Sequence, residues 1–188
     1  MSGEREHELV ELVSAAGTPT GSATVAEAHA APGRLHRAFS VLLFDAAGRT
    51  LLQQRSAAKT RFPSRWANAC CGHPAPGEPV ATAAVRRLAE ELGVRDIELA
   101  DVGVLVYAAE DPVTGRTERE YDHVLVGRVG ASMITKPDPA EVATVRWADP
   151  AELLAAEDAT AYAPWLSGVL EIALASIAPG AAAVDRDR

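Results

Sequence analysis

A chain of 188 residues that is 48% apolar can bury one sizeable core, which predicts a single domain over 1–178 and a disordered tail over 179–188. Its formal charge of -8 excludes a sequence-independent nucleic-acid binder, which needs Lys and Arg across a broad face. The charged N-terminus is followed by no apolar run of signal or membrane-spanning length, so a cytoplasmic location with no membrane partner is expected.

Glu8–Val13 predicts a short strand. The stretch through Gly17, Pro19, Gly21, Pro32 and Gly33 has no helical or strand period and reads as loop, with His29 and His36 in it or at its end. Ala38–Phe44 and Thr50–Gln54 are apolar runs on either side of Asp45-Ala46-Ala47-Gly48-Arg49, a hairpin with glycine in its turn. Arg55, Lys59, Arg61 and Arg65 then place four of the eighteen basic side chains in one eleven-residue window, a local attraction for an anionic small molecule. Cys70 and Cys71 are neighbours, which rarely allows a structural disulfide, so both read as free thiols in a reducing compartment. They point to opposite faces if a strand runs through them.

Pro79–Leu92 predicts a helix, with proline early, Glu78 near the positive end of the macrodipole and Gly93 just past the last turn. Strands are expected at Ile97–Tyr107, Tyr121–Val129 and Val142–Trp147, and helices at Pro150–Ala156 and Ala163–Ile177. There is no internal repeat and no regular βαβ alternation, so the fold class is α+β, with a mixed sheet layered between helices.

Glu118 and Glu120 are two apart at the mouth of a predicted strand and so share a face. Together with His29, His36 and His73 they offer three imidazoles and two carboxylates, a donor set suited to zinc, manganese or iron. Taken singly, each histidine is explained as well by packing or surface position, and the glutamate pair by a solvated strand edge. His123 has odd spacing from the pair and, with His7, is left outside the site.

Gly72-His73-Pro74-Ala75-Pro76-Gly77-Glu78 and, after seven residues, Arg86-Arg87-Leu88-Ala89-Glu90-Glu91-Leu92-Gly93-Val94 resemble the Nudix box, G-x5-E-x7-R-E-U-x-E-E-x-G-U with U aliphatic. The resemblance implies a Nudix-type fold and carboxylates beside a divalent cation that neutralises a diphosphate. One position departs from it, since Arg87 stands where hydrolytic members carry a metal-binding Glu. Arg87 and Glu91 are four apart on one helix face, so a guanidinium and a carboxylate-bound magnesium ion can hold one diphosphate from two sides.

Trp66-Ala67-Asn68-Ala69-Cys70-Cys71-Gly72-His73-Pro74 is similar to the W-x-N-x-x-C-G/S-H-P segment of type I isopentenyl-diphosphate isomerases. Arg34-Leu35-His36-Arg37-Ala38-Phe39-Ser40 and the E-x-E of Thr117–His123 resemble that family's other motifs, in the same order. The resemblance implies Cys71 and Glu120 as the two proton-transfer groups, with Tyr107 hydrogen-bonded to Glu120, and Cys70 as a small core residue. Glu120 is the preferred donor and Cys71 the preferred thiolate base. His29, His36, His73, Glu118 and Glu120 are implied to hold one Mn2+, Zn2+ or Fe2+, and Glu91 with the Cys71 carbonyl to hold Mg2+. Arg55, Lys59 and Arg87 are implied to anchor a prenyl diphosphate, and Trp165 to face the carbocation.

The family often carries a lysine four residues before the first metal histidine, where this chain has Val25. The reaction implied is interconversion of isopentenyl and dimethylallyl diphosphate by a monomer or homodimer. The alternatives are cyclisation or rearrangement of a longer prenyl diphosphate, a Nudix diphosphohydrolase, and a catalytically silent diphosphate- or metal-binding module.

Overall fold

The computed structural model describes residues 4–130 and 133–177. The predicted tail over 179–188 lies outside the described residues. The chain opens with a 3-10 helix at Glu4–His7, followed by β1 (Leu9–Val13), β2 (Pro19–Thr24) and α1 (Val25–His29). Next come β3 (His36–Phe44), β4 (Thr50–Arg55), β5 (Trp66–Asn68), β6 (Cys70–Gly72) and α2 (Val80–Leu92). The last elements are β7 (Ala100–Glu110), β8 (Thr117–Arg128), β9 (Val142–Ala148), α3 (Pro150–Leu154), a 3-10 turn at Ala159–Ala161, and α4 (Leu166–Ile177).

All nine strands form one mixed sheet centred on β3. This strand runs parallel to β8 from His36↔Glu120 to Phe44↔Arg128 and antiparallel to β1, β4 and β6. Because side chains alternate across a strand, β3 serves two cores at once. Phe39, Val41 and Leu43 pack with Cys70, Leu125 and the α2 residues Ala83, Ala84, Leu88 and Leu92. Leu42 and Phe44 pack on the other face with Val124, Val126 and the α4 residues Val169, Leu170 and Ala173. The sheet is therefore layered between α2 and α4, as the α+β expectation required.

The apolar stripe of α2 recurs at helical spacing, and Gly93 ends the helix in the left-handed region at φ 69°, its N–H reaching the Ala89 and Leu88 carbonyls. Leu88 is fully buried in the first core. Leu88→Ala is expected to cost about 2–5 kcal/mol by leaving a cavity, read as a lower midpoint in urea unfolding.

One expectation needs correction: the supposed loop after β1 contains β2 and α1. β2 pairs with β1 from Leu9↔Thr24, which satisfies its backbone despite the glycine and proline. α1 is too short to show a period, yet it has a reciprocal cap. Glu27 N–H donates to Thr24 Oγ1 at 3.2 Å, and Thr24 N–H to Glu27 Oε2 at 2.9 Å. The other elements stand within a few residues of their expected bounds, apart from β8, which begins four residues early, at Thr117. Glu118 and Glu120 are thereby inside the strand.

Candidate active site

Strand parity gathers the site. His36 and Ser40 on β3 and Glu118, Glu120 and Asp122 on β8 share the parity of the residues packed on α4. His36 and Glu120 are also Cα partners across the parallel pair, and Glu120 is the partner of Tyr107 on β7. α1 delivers His29 from one side, and His73, just beyond β6, arrives from the other. One donor atom from each of His29, His36, His73, Glu118 and Glu120 lies within 4.8 Å of all the others.

These donors are preset for a cation. His29 Nδ1 lies 2.7 Å from the Val25 carbonyl and His36 Nδ1 2.7 Å from the Arg34 carbonyl; carbonyls only accept, so both Nδ1 atoms carry protons. The two Nε2 atoms face inward, buried and without a hydrogen bond. His29 Nε2 is 2.8 Å from Glu118 Oε2, itself unpartnered, and His36 Nε2 is 3.5 Å from Glu120 Oε1. Each contact calls for a proton or a metal ion between its partners, and orientation of metal-binding imidazoles by backbone carbonyls is the usual support for such a centre. The cluster can bind a divalent metal ion.

Protonation follows the same geometry. Burial opposes a charge on His36, but the Glu120 carboxylate 3.5 Å away outweighs it and raises the imidazole above its ordinary pKa. Burial pushes His73 down to about 4, against the pull of Glu120. Burial opposes a charge on Glu120, yet the His36 imidazole beside it and the hydrogen bond to His73 hold its carboxyl well below the usual carboxylate range. Wherever His36 is protonated, a divalent ion must displace that proton. Its affinity is expected to be full above the raised His36 range and to fall as pH drops through it. Calorimetric titration with Mn2+ in buffers of different ionisation enthalpy counts the proton released.

Cys71 stands on the α4 side of the sheet, and Cys70 points into the α2 core, as the alternation expected. Asn68 fixes the Cys71 environment. Its Nδ2 donates to the Val41 carbonyl at 3.2 Å and the Cys70 carbonyl at 2.9 Å, which turns Oδ1 toward the cavity. That oxygen accepts from Trp165 Nε1 at 3.0 Å and from Cys71 Sγ at 3.2 Å. An acceptor aimed at sulfur favours the thiol. Burial and the nearby Asp122 charge push the Cys71 pKa up to about 12, with the Arg55 charge opposing.

Tyr107 donates to Glu120 Oε2 at 2.7 Å, and its ring lies 6.0 Å from that of Trp165. The motif alone gives Asn68 no role; its ties to Cys71 and Trp165 arise only when β5 and the segment leading into α4 meet. Asn68→Ala is expected to lower kcat about 10²-fold by misplacing the thiol, with the KM for substrate changed far less.

Cys71, Glu120, Tyr107 and Trp165 line one cavity together with Arg55, Lys59 and Arg87. Arg55 is held by the Arg61 and Phe62 carbonyls, with its guanidinium carbon 5.6 Å from the Trp165 ring centre. Lys59 and Arg87 converge on two buried carboxylates. Glu91 is paired with Arg87, lies 3.5 Å from Lys59 and accepts from Gln53 at 3.2 Å. Glu141 is paired with Lys59 and lies 3.8 Å from Arg87. Glu91 sits behind these cations rather than on the cavity wall. Sequence reasoning missed Glu141, because it comes from the loop before β9, 82 positions from Lys59. His123 points away from the site, 2.8 Å from Asp101, and His7 is exposed.

The NUDIX domain family matches residues 34–168. The chain is 64% identical over 167 residues to isopentenyl-diphosphate Delta-isomerase of Nocardia farcinica, covering 87% of this chain and 93% of that protein. It is 46% identical to the protein of the same name from Streptomyces coelicolor, covering 92% and 86% respectively. A crystal structure of DR0079 from Deinococcus radiodurans superposes with a TM-score of 0.68 at 19% identity, over 87% of this chain and 98% of that one, a likeness of fold. The chain thus belongs to the Nudix superfamily and, within it, to the isopentenyl-diphosphate Delta-isomerase family.

Proposed function

We propose that this protein interconverts isopentenyl diphosphate and dimethylallyl diphosphate. The observation that carries the reading is one cavity whose wall holds a thiol, a carboxylate–phenol pair, the cations Lys59 and Arg87, and Trp165. The reaction adds one proton to the terminal methylene carbon of the alkene and removes one from the carbon on the far side of the tertiary centre, so the atoms balance. An unactivated alkene is a very weak base, and a proton donor must therefore be held against it in a site that excludes water.

Cys71 and Glu120 supply the two proton-transfer positions. In the free site Cys71 is a thiol facing the Asn68 acceptor, and Glu120 is a carboxylate held by imidazoles and Tyr107. This distribution supports Cys71 as the first donor and Glu120 as the base, the reverse of the preference read from the sequence. The Trp165 ring supplies a π face for the tertiary cation. Its Nε1–H bond to Asn68 fixes that ring.

His29, His36, His73, Glu118 and Glu120 would hold one Mn2+, Zn2+ or Fe2+, which fixes Glu120 and tunes its basicity. Glu91, with the Cys71 carbonyl, would hold Mg2+ brought by the diphosphate. Lys59 and Arg87 then exchange carboxylate partners for phosphate oxygens, and Arg55 adds a third cation. The Arg87–Glu91 pair stands where a hydrolase needs a second acid, which disfavours diphosphate cleavage. The enzyme acts as one domain over 1–178, in the cytoplasm, as a monomer or homodimer, on a small-molecule substrate. Among the described residues no helix is long and apolar enough to cross a membrane.

Incubation of the metal-loaded protein with Mg2+ and isopentenyl diphosphate in deuterated water, followed by NMR, tests the reading. Deuterated dimethylallyl diphosphate without phosphate release is expected. Unchanged substrate without exchange, or release of phosphate, would overturn it.

A further inference from the structure

Beside Lys59 and Arg87 the cavity wall holds a further cation, Arg5, that none of the family motifs supplies. Val25 lines this cavity as a buried apolar residue at the first position of α1. The N-terminal 3-10 turn runs alongside it. Glu8 N–H donates to the Arg5 carbonyl at 3.1 Å, and Val25 N–H to the Glu8 carbonyl at 2.9 Å. Two backbone hydrogen bonds thus bring Arg5 to the Val25 side of the same wall, and Arg5 also lines the cavity.

The Arg5 guanidinium is anchored by the carboxylates that hold Lys59 and Arg87. It lies 3.1 Å from Glu90, which also accepts from Arg87 at 2.8 Å, and 3.4 Å from Glu141, the partner of Lys59. Arg5, Lys59 and Arg87 therefore converge around two shared carboxylates. The other arginines of the wall are held differently. Arg55 is fixed by the Arg61 and Phe62 carbonyls and Arg61 pairs with Glu6 and Glu118, while the more exposed Arg86 divides between Glu78 and, at 3.6 Å, Glu90. Arg5 keeps 31% of its side chain exposed, enough freedom to turn its planar fork from a carboxylate to a phosphate of matching geometry.

Resting on the isomerase reading above, we propose that Arg5 is a further substrate-binding residue that contacts the diphosphate from the α1 side, where Val25 brings no charge. The expected signature is a loss of binding more than of chemistry. Arg5→Met in the metal-loaded enzyme raises KM for isopentenyl diphosphate about tenfold or more, while kcat falls far less, since a contact made equally in ground and transition states acts on KM. Arg5→Lys recovers part of the loss. Val25→Lys in the Arg5→Met background recovers it as well, because a lysine there restores a cation to the same wall.

Thermal unfolding of each variant separates binding from anchoring of the N-terminal turn. An unchanged KM in Arg5→Met, with wild-type turnover intact, overturns this proposal alone. A KM loss that tracks a lower Tm and is not recovered by Val25→Lys overturns it too, in favour of a merely structural Arg5. A wild-type protein that does not turn over isopentenyl diphosphate overturns the isomerase reading and this proposal with it.

Discussion

Cys71→Ala is expected to lower kcat by about 10³- to 10⁴-fold, the usual contribution of a positioned acid or base when no other group can take its place. Neither polar neighbour of the sulfur can. Ser40 Oγ lies 3.6 Å from the sulfur but donates to Asp122 at 2.8 Å, and Asn68 Oδ1 is an acceptor. Cys71 is half-buried and packs at the edge of the α4-side core, so removing its sulfur trims that core without opening its centre. The variant should melt within a few degrees of wild type and still bind substrate. Full activity in Cys71→Ala would remove the thiol from the mechanism.

Glu120→Gln carries a loss of at least the same size by two routes. It removes the proposed proton-transfer group, and it replaces the carboxylate at the centre of the cluster by a neutral amide facing His36, His73 and Tyr107. Metal content should fall along with activity, measured by elemental analysis of the dialysed variant. Reloading with excess Mn2+ separates the two routes. If Cys71 gives the first proton and Glu120 takes the second, reloaded Glu120→Gln exchanges the terminal methylene hydrogens of isopentenyl diphosphate with deuterated water without forming dimethylallyl diphosphate. Cys71→Ala shows no such exchange. The opposite pattern would restore Glu120 as donor, the assignment favoured by the motif alone.

Much of this was legible in the sequence because periodic features survive translation into structure. The α2 stripe and Gly93 announced the helix, alternation separated Cys71 from Cys70, and the even spacing of Glu118 and Glu120 placed both on the face that meets His36. What was not legible depends on distance along the chain. α1 has only five residues, too few for a period, and its cap, Thr24 with Glu27, lies in a stretch dominated by glycine and proline. The Asn68, Glu141 and Arg5 contacts span 97, 82 and 85 positions, and no local pattern announces them. Protonation was equally hidden. The sulfur's partner is a side-chain oxygen whose orientation is set by two carbonyls elsewhere in the sheet.

The first three elements after the opening turn keep a small core of their own. Val10, Leu12, Ala23, Val25 and Ala28 cluster apart from the two large cores, and β1 meets β3 at the single register pair Leu12↔His36. His29 closes that unit and reaches across to Glu118 on β8. An ion shared between them would therefore serve as a rivet, joining this N-terminal flap to the body of the sheet. At a free metal concentration a thousandfold above Kd, such a rivet adds about 4 kcal/mol against unfolding. The flap, rather than the sandwich beneath it, would be the part to open first on chelation, and amide exchange over residues 9–29 should quicken while the β3 and β8 amides hold.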